Sequence, residues 1–257
     1  MDATEKACVF GQLPWYDQGL PVLVVGEKGE EHLVVTPRAA PEENEESTEW
    51  KVDLLTSGAA SVAGRTRLRG ATAAELREQL LSASAYERRL WLETFLAKRC
   101  SGVRVDTFEV TGMQPVAEPL LVSYAFHTPF FGTQRDSAIV IHPGTITATD
   151  LPDYFRSLTR KHPIRFRFGM RQELDLTVTL PKGWEEQNIR FSDSVSSDIG
   201  YGRWTWQSKG NQFQARSSLL LQGNDVSSKD YPIFQKFLDA VRERDLREVV
   251  LGKASSR

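Results

Sequence analysis

Cysteine is scarce in this sequence, and its scarcity excludes a fold held together by many disulfides. Only Cys8 and Cys100 occur among the 257 residues, and neither has neighbours at the spacing of a metal site. The two could form one disulfide, but two free, partly buried thiols are the preferred interpretation. The sequence therefore predicts neither a bound metal nor any other cofactor.

Long apolar runs and a charge of one sign are also missing. No stretch approaches the roughly 20 apolar residues of a membrane-spanning helix, and the polar residues that follow Met1 predict no signal peptide. A net charge of -2 provides no concentrated basic surface for nucleic acid. We therefore expect no nucleic-acid partner and no transmembrane segment.

What is present is an ordinary globular composition, with 40% hydrophobic and 26% charged residues. Apolar and polar residues alternate in many places, which is typical of strands with one buried face. Residues 22–25 and 33–36 flank a polar turn and predict a β-hairpin, and residues 174–180 have the cleanest alternation in the chain. Because few helices separate the strands, we expect antiparallel sheets.

Helices are predicted from their capping residues. Capping boxes that start at Thr72 and at Ser84 predict two helices with a break near residues 82–84. An apolar stripe at helical spacing follows Pro232, a residue that suits the first turn of a helix. The chain is therefore expected to close with a helix.

The predicted fold class is α+β, with mostly antiparallel β-sheets or a sandwich, two central helices and a C-terminal helix. The acidic stretch 41–47 lacks apolar anchors, and we interpret it as a solvated linker and the best domain boundary. The predicted units are a trailing hairpin of a larger core (1–46), strands around two helices (47–145), and an antiparallel β domain with the C-terminal helix (146–257).

A catalytic apparatus is not evident in the sequence. A nucleophilic cysteine needs a histidine that takes its proton and a third group that orients the histidine. Cys100 follows a predicted helix C-terminus, where the dipole opposes a thiolate, and Cys8 has apolar neighbours that raise a thiol pKa. We expect both to be packing residues, and we expect His127 and His142 to lie at strand ends without a catalytic role.

Two features could form binding surfaces, a basic stripe and an aromatic strand. The basic stripe consists of Arg65, Arg67 and Arg69. The aromatic strand contains Tyr201, Trp204 and Trp206. The stripe could hold an anionic partner, but the charged outer face of a strand is the preferred interpretation. Exposed rings could stack on sugars or peptides, whereas buried rings would only pack in the core. The exposure of Trp204 and Trp206 therefore decides between a ligand-binding strand and a core strand.

The opening of the chain resembles a known family at residues 2–4 (DAT), 10–14 (FGQLP) and 19–25 (GLPVLVV). These motifs are similar to the end of the transglutaminase-like, papain-type cysteine core of large bacterial proteins. Those proteins carry a domain of unknown function ahead of the core and a β-rich region behind it. Residues 180–184 (LPKGW) and 231–238 (YPIFQKFL) resemble a strand-ending turn and the closing helix of that region. The resemblance therefore extends along the chain, through short motifs.

The resemblance implies a Cys-His-Asp constellation whose aspartate lies late in the core, in an Asp-x-Thr context that Asp2 matches. The cysteine and histidine would lie ahead of Met1, so Asp2 would be an orphan and inactive alone. The implied function is a non-catalytic C-terminal scaffold or interaction module, with the upstream core as its partner and an extracytoplasmic, periplasmic or secreted, location. Two alternatives stay open: a glycan- or peptide-binding β-sandwich, and a residual cysteine enzyme that uses Cys8 or Cys100.

Overall fold

The computed structural model describes residues 7, 9, 11–26, 29–114, 119–147, 159–186, 190–223 and 225–253. Within these ranges the α-helices are α1 (Gly70–Leu81), α2 (Ala85–Ala97) and α3 (Tyr231–Asp245). The strands are β1 (Pro21–Val25), β2 (Glu31–Val35), β3 (Glu45–Leu54), β4 (Ala60–Leu68), β5 (Arg104–Thr111), β6 (Leu120–Thr128), β7 (Thr133–Arg135), β8 (Ala138–Ile141), β9 (Met170–Thr179), β10 (Trp184–Glu186), β11 (Phe191–Ser197), β12 (Gly200–Lys209), β13 (Gln212–Leu221) and β14 (Val249–Lys253).

An eight-stranded sheet forms the centre of the fold. Its strand order is β11-β12-β13-β9-β3-β4-β6-β5, and neighbours are antiparallel except β3 and β9, which run parallel. A second sheet has the order β10-β14-β8-β7, and β1 and β2 form a separate hairpin. Both larger sheets combine strands from the predicted units 47–145 and 146–257. The predicted boundary near residue 145 therefore does not divide the sheets.

One face of the large sheet is apolar and covered, and the other is polar. In β9, for example, Leu174, Leu176 and Val178 are buried, while Asp175 and Thr177 between them lie on the other side. Helices α1 and α2 and the second sheet pack with the covered face in one core cluster, and α3 packs on its β12–β13 end in another. The α+β class, the mostly antiparallel sheets and the three predicted helices are confirmed.

A buried polar row crosses the covered face. The indole Nε1 of Trp50 donates to the hydroxyl of Tyr124 at 2.8 Å, and this hydroxyl lies 3.0 Å from Oγ1 of Thr66. Oγ1 of Thr66 lies 3.1 Å from that of Thr48. A Cβ on Gly64 would lie 2.1 Å from the Tyr124 ring, so only glycine leaves room for that ring. The row satisfies its polar groups internally, as a buried network must.

The acidic stretch predicted as a solvated linker is instead an ordered part of the structure, and β3 begins within it. Asn44 is buried, where its side chain donates to the carbonyl of Gly169 at 2.9 Å and accepts from the N–H of Ala71 at 2.8 Å. Glu46 pairs with the buried side chain of Arg99 at 3.2 Å. The linker interpretation was wrong because these polar side chains have partners distant in sequence.

One of the two predicted capping boxes is present, and the other is not. The hydroxyl of Ser84 accepts from the N–H of Glu87, and the N–H of Ser84 donates to the Glu87 carboxylate, which confirms the capping box of α2. Thr72 lies inside α1, and its hydroxyl donates to the carbonyls of Glu45 and Arg69. The first capping box was therefore wrong, although the break between the two helices is where it was predicted.

Candidate functional site

The β1–β2 hairpin exposes a row of apolar side chains. Leu23 pairs with Leu33 and Pro21 with Val35, so alternate residues of both strands share one side of the ribbon. On this side Leu23, Val25, Leu33 and Val35 expose 55%, 62%, 74% and 69% of their surface. We call these four side chains the hairpin face. An exposed apolar patch is typical of a protein–protein contact.

Hydrogen bonds fix the base of the hairpin. The hydroxyl of Thr36 donates to the carbonyl of Asp17 at 2.6 Å and accepts from the N–H of Leu20 at 2.9 Å. The side-chain carbonyl of Gln18 accepts from the N–H of Ala39 at 2.8 Å. These bonds hold the start of β1 and the end of β2 to the segments beside them. The hairpin face is thus presented from an anchored base.

A groove of about 640 Å³ lies between the base of the hairpin and residues 165–169. Arg38, Arg165, Arg167 and the half-buried ring of Trp15 line it. Among the described residues, no aspartate or glutamate belongs to this lining. We call it the basic groove. Its volume is in the range of ligand-binding sites in proteins.

Two carboxylates at the rim form ion pairs with the three arginines of the basic groove. Asp225 lies 3.9 Å from Arg38 and 3.4 Å from Arg165, each through a different oxygen. Glu75 lies 3.1 Å from Arg167. Because three guanidinium groups share two carboxylates, these pairs leave one positive charge uncompensated.

Ser61, His127 and Asp106 form a row on the outer face of the sheet, across β4, β6 and β5. Oγ of Ser61 lies 2.9 Å from Nδ1 of His127, and Nε2 of His127 lies 3.1 Å from a carboxylate oxygen of Asp106. Serine hydrolases combine the same three groups. No sequence motif indicated this row, because only the register of three strands brings its members together.

The surroundings of the row do not suit hydrolysis. The side chains of His127 and Asp106 are 60% and 39% exposed, on the open face of the sheet. β4 and β6 are each paired on both sides, so their backbone N–H groups belong to the sheet ladders. They are therefore not available as an oxyanion hole for a substrate at Ser61. We interpret the row as a surface hydrogen-bond network.

Of the predicted cysteine and aspartate candidates, Cys100 lies within the described residues, and its surroundings do not suit a nucleophile. Cys100 is buried and donates weakly to the hydroxyl of Thr128 at 3.4 Å. Burial raises the pKa of the Cys100 thiol, which opposes the thiolate that nucleophilic attack needs. Asp2 and Cys8 lie outside the described residues. Within the described ranges, no three His, Cys, Asp or Glu side chains converge as a metal site would require.

The aromatic strand does not form the stacking surface that was considered. Trp204 and Trp206 are only 1% and 5% exposed, because their side of β12 faces the core. Tyr201 is exposed, but on the opposite side of the strand. The ligand-stacking hypothesis is therefore corrected for the two tryptophans, and the glycan-binding alternative loses its platform.

The basic stripe behaves as a charged outer face. Arg65 is exposed on the polar side of β4, and Arg67 on the same side forms an ion pair with Glu45. Arg69 is exposed just ahead of α1. This placement agrees with the preferred interpretation of the stripe as solvated surface.

Comparison with known proteins finds a family of unknown function and no transglutaminase-like core. Residues 137–251, just under half of the chain, match the model of a family described as "Domain of Unknown Function with solved-structure structure (DUF3858)". The C-terminal part of the chain is thus similar to DUF3858. A solved structure from Parabacteroides distasonis, described as a candidate protease, aligns with 18% identity and a TM-score of 0.39. The alignment covers 46% of this chain and 24% of that protein, so the chain spans about a quarter of its length. No curated protein matches the chain.

The DUF3858-like region contains β8–β14 and α3, with a second buried polar group. The indole Nε1 of Trp204 donates to the Asp245 carboxylate at 2.9 Å. Burial raises the pKa of Asp245 to about 7. The side-chain oxygen of Gln172 lines the same small cavity and has no hydrogen-bond partner among the described residues.

None of the helices in the described part of the chain combines the length and apolarity needed to span a membrane.

Proposed function

We propose that this chain is a non-catalytic interaction module that docks a transglutaminase-like, papain-type cysteine core on its hairpin face. The observation that carries the proposal is the exposure of Leu23, Val25, Leu33 and Val35. Removing apolar surface from water stabilises a complex by roughly 25 cal/mol per Å². A docked domain would gain this free energy on four adjacent side chains.

The strand edges of the hairpin support the same role. β1 and β2 pair with each other and with no other strand of the described residues. A two-stranded hairpin is marginally stable by itself, and open strand edges readily pair with other sheets. A partner could therefore cover the hairpin face and extend the sheet at an edge, which is a common mode of recognition.

The identity of the partner is suggested by the sequence. Residues 19–25, which include β1, carry part of the resemblance to the end of a transglutaminase-like core. A hairpin of that origin would keep its apolar side against the core, so the core is the occupant that we propose. The same resemblance supports an extracytoplasmic location. Fractionation of cells that make the natural protein tests it, and recovery only from the cytoplasm would refute it.

Docking is tested by mixing the purified chain with a separately produced core and measuring the mass of the product by light scattering. We expect a complex, and we expect the double variant Leu23→Ser and Leu33→Ser to lose it while its circular dichroism stays unchanged. Leu55→Ser is the matched control, because Leu55 is 56% exposed in the β3–β4 turn. No complex with the unaltered chain, or equal binding by the double variant, would reject the proposal.

The main alternative to a non-catalytic role is a hydrolase that uses Ser61, His127 and Asp106. A fluorophosphonate probe reports an activated serine, and an iodoacetamide probe reports a reactive thiol. We expect no labelling at Ser61 and slow labelling at Cys100, because the first has no oxyanion hole and the second is buried. Fast labelling of Ser61 that disappears in His127→Ala would instead establish a hydrolase.

A further inference from the structure

We propose that the basic groove binds an acidic peptide, with Arg165 and Arg167 each pairing a carboxylate of that peptide. The groove shares no residue with the hairpin face. Failure of either proposal therefore leaves the other standing.

The placement of the arginines indicates a ligand with more than one carboxylate. Arg165 and Arg167 are exposed, and both line the basic groove. They pair with two different carboxylates, Arg165 with Asp225 and Arg167 with Glu75. Two carboxylates of one ligand could therefore each meet one guanidinium.

The charge of the groove indicates an acidic ligand. The side chains of Arg165 and Arg167 are 77% and 67% exposed, so a ligand can reach them. Arg38 adds a third guanidinium to the groove and shares Asp225 with Arg165. Arginine and carboxylate form bidentate, charge-assisted hydrogen bonds that are stronger than neutral ones. An incoming carboxylate would supply the negative charge that the rim lacks.

Aromatic side chains form one wall of the basic groove. The guanidinium carbon of Arg167 lies 5.1 Å from the centroid of the Trp15 ring, within the range of a cation–π contact. The contact restrains Arg167 before a ligand arrives, which lowers the entropy cost of binding. Tyr16 is 43% exposed in the same wall and offers a surface to side chains between the acidic positions.

The same features disfavour a nucleic acid as the occupant. Duplex DNA carries one charge per about 1.7 Å of its axis, and tight binding requires many phosphate contacts along a long basic track. The groove provides three arginines in a chain whose net charge is -2. A short peptide with a few carboxylates fits this supply of charge.

Binding is measured by fluorescence anisotropy of a labelled peptide with glutamate at alternating positions, beside a peptide of equal length with glutamine there. We expect the glutamate peptide to bind and added salt to weaken it. The double variant Arg165→Gln and Arg167→Gln should lose at least roughly tenfold in affinity, because each lost charge-assisted bond corresponds to about that factor. Arg165→Lys with Arg167→Lys should lose less, because lysine keeps the charge without the bidentate geometry.

The matched control removes two arginines elsewhere. Arg203 and Arg216 are exposed on the outer face of the large sheet, so Arg203→Gln with Arg216→Gln changes the net charge equally. Affinity should be retained in this control. Equal loss in both double variants would mean that overall charge acts and not the groove, which overturns the proposal. Equal binding of the glutamine peptide, or no binding of the glutamate peptide, overturns it as well.

Discussion

The eight-stranded sheet and the β1–β2 hairpin both contain runs of Val and Leu, yet they differ in what covers them. In the sheet, apolar residues occupy one side of each strand, and helices or the second sheet lie over that side. In the hairpin, apolar residues such as Leu33 and Val35 are exposed, and the other side carries Val22, Val24 and Val34. This difference is the basis of the proposal that the hairpin docks another protein.

The two regions also differ in their polar groups. The covered face of the sheet buries hydrogen-bonded polar side chains, in the row that starts at Trp50 and around Asp245. The described residues of the hairpin bury none, and its side-chain anchors lie at its base, at Thr36 and Gln18. Buried networks make a core specific, because a wrong arrangement leaves polar groups without partners. The sheet is therefore specified from within the chain, whereas the hairpin face would be specified by its partner.

The largest loss of stability is expected from Trp50→Ala, which removes a fully buried ring from the core of the sheet. The substitution leaves a large cavity and removes the donor to the hydroxyl of Tyr124. Truncation of a buried aromatic side chain lowers the free energy of unfolding by about 3–5 kcal/mol. Urea unfolding followed by circular dichroism measures it. A loss below about 1 kcal/mol would show that the covered face is not the stabilising core described here.

A smaller effect, dependent on pH, is expected from Asp245→Asn. Burial raises the pKa of Asp245 to about 7 from its usual 3.8, so the folded chain holds this proton more tightly than the unfolded chain. The neutral carboxyl therefore stabilises the fold fully below about pH 4, and this contribution is lost as pH rises through 7. Asn keeps an acceptor for Trp204 without a charge. At about pH 8 we expect the variant to be more stable by about 2–4 kcal/mol.

The measurement compares unfolding free energies at about pH 4 and about pH 8. The gain from Asp245→Asn should nearly vanish at the lower pH, where the natural carboxyl is already neutral. Asp239→Asn is the matched control, since Asp239 lies on the same helix with its side chain 74% exposed. An equal gain at both pH values would mean that the charge of Asp245 is not what limits stability.

Local patterns predicted much of the fold. The alternation at residues 174–180 and the capping box at Ser84 are short-range features, and the strand and helix that they predict are present. The parallel pairing of β3 with β9 was not predictable, because it joins segments more than a hundred residues apart. Asn44 was placed in a linker for the same reason, since its buried partner Gly169 is equally distant.

The candidate sites were predicted less well than the fold. Nothing local in the sequence indicated that Arg38 lines one groove with Arg165 and Arg167. Trp204 and Trp206 share a side of β12, as their spacing requires, but the spacing does not say whether that side is covered. Coverage depends on α3 and the second sheet, which are distant in sequence. The hairpin was predicted, and its exposure became visible only in the fold.

The smallest effect on stability is expected from Leu33→Ala, and it tests the comparison most directly. Leu33 is as apolar as the core leucines but 74% exposed, so truncating it removes little packing within the chain. Surface substitutions of this kind change the free energy of unfolding by about 0.5 kcal/mol or less. Leu176→Ala is the counterpart in the sheet, where a fully buried leucine should cost about 2–5 kcal/mol. Urea unfolding of both variants measures the difference, and a loss in Leu33→Ala that equals the loss in Leu176→Ala would mean that the hairpin packs within its own chain and presents no docking surface.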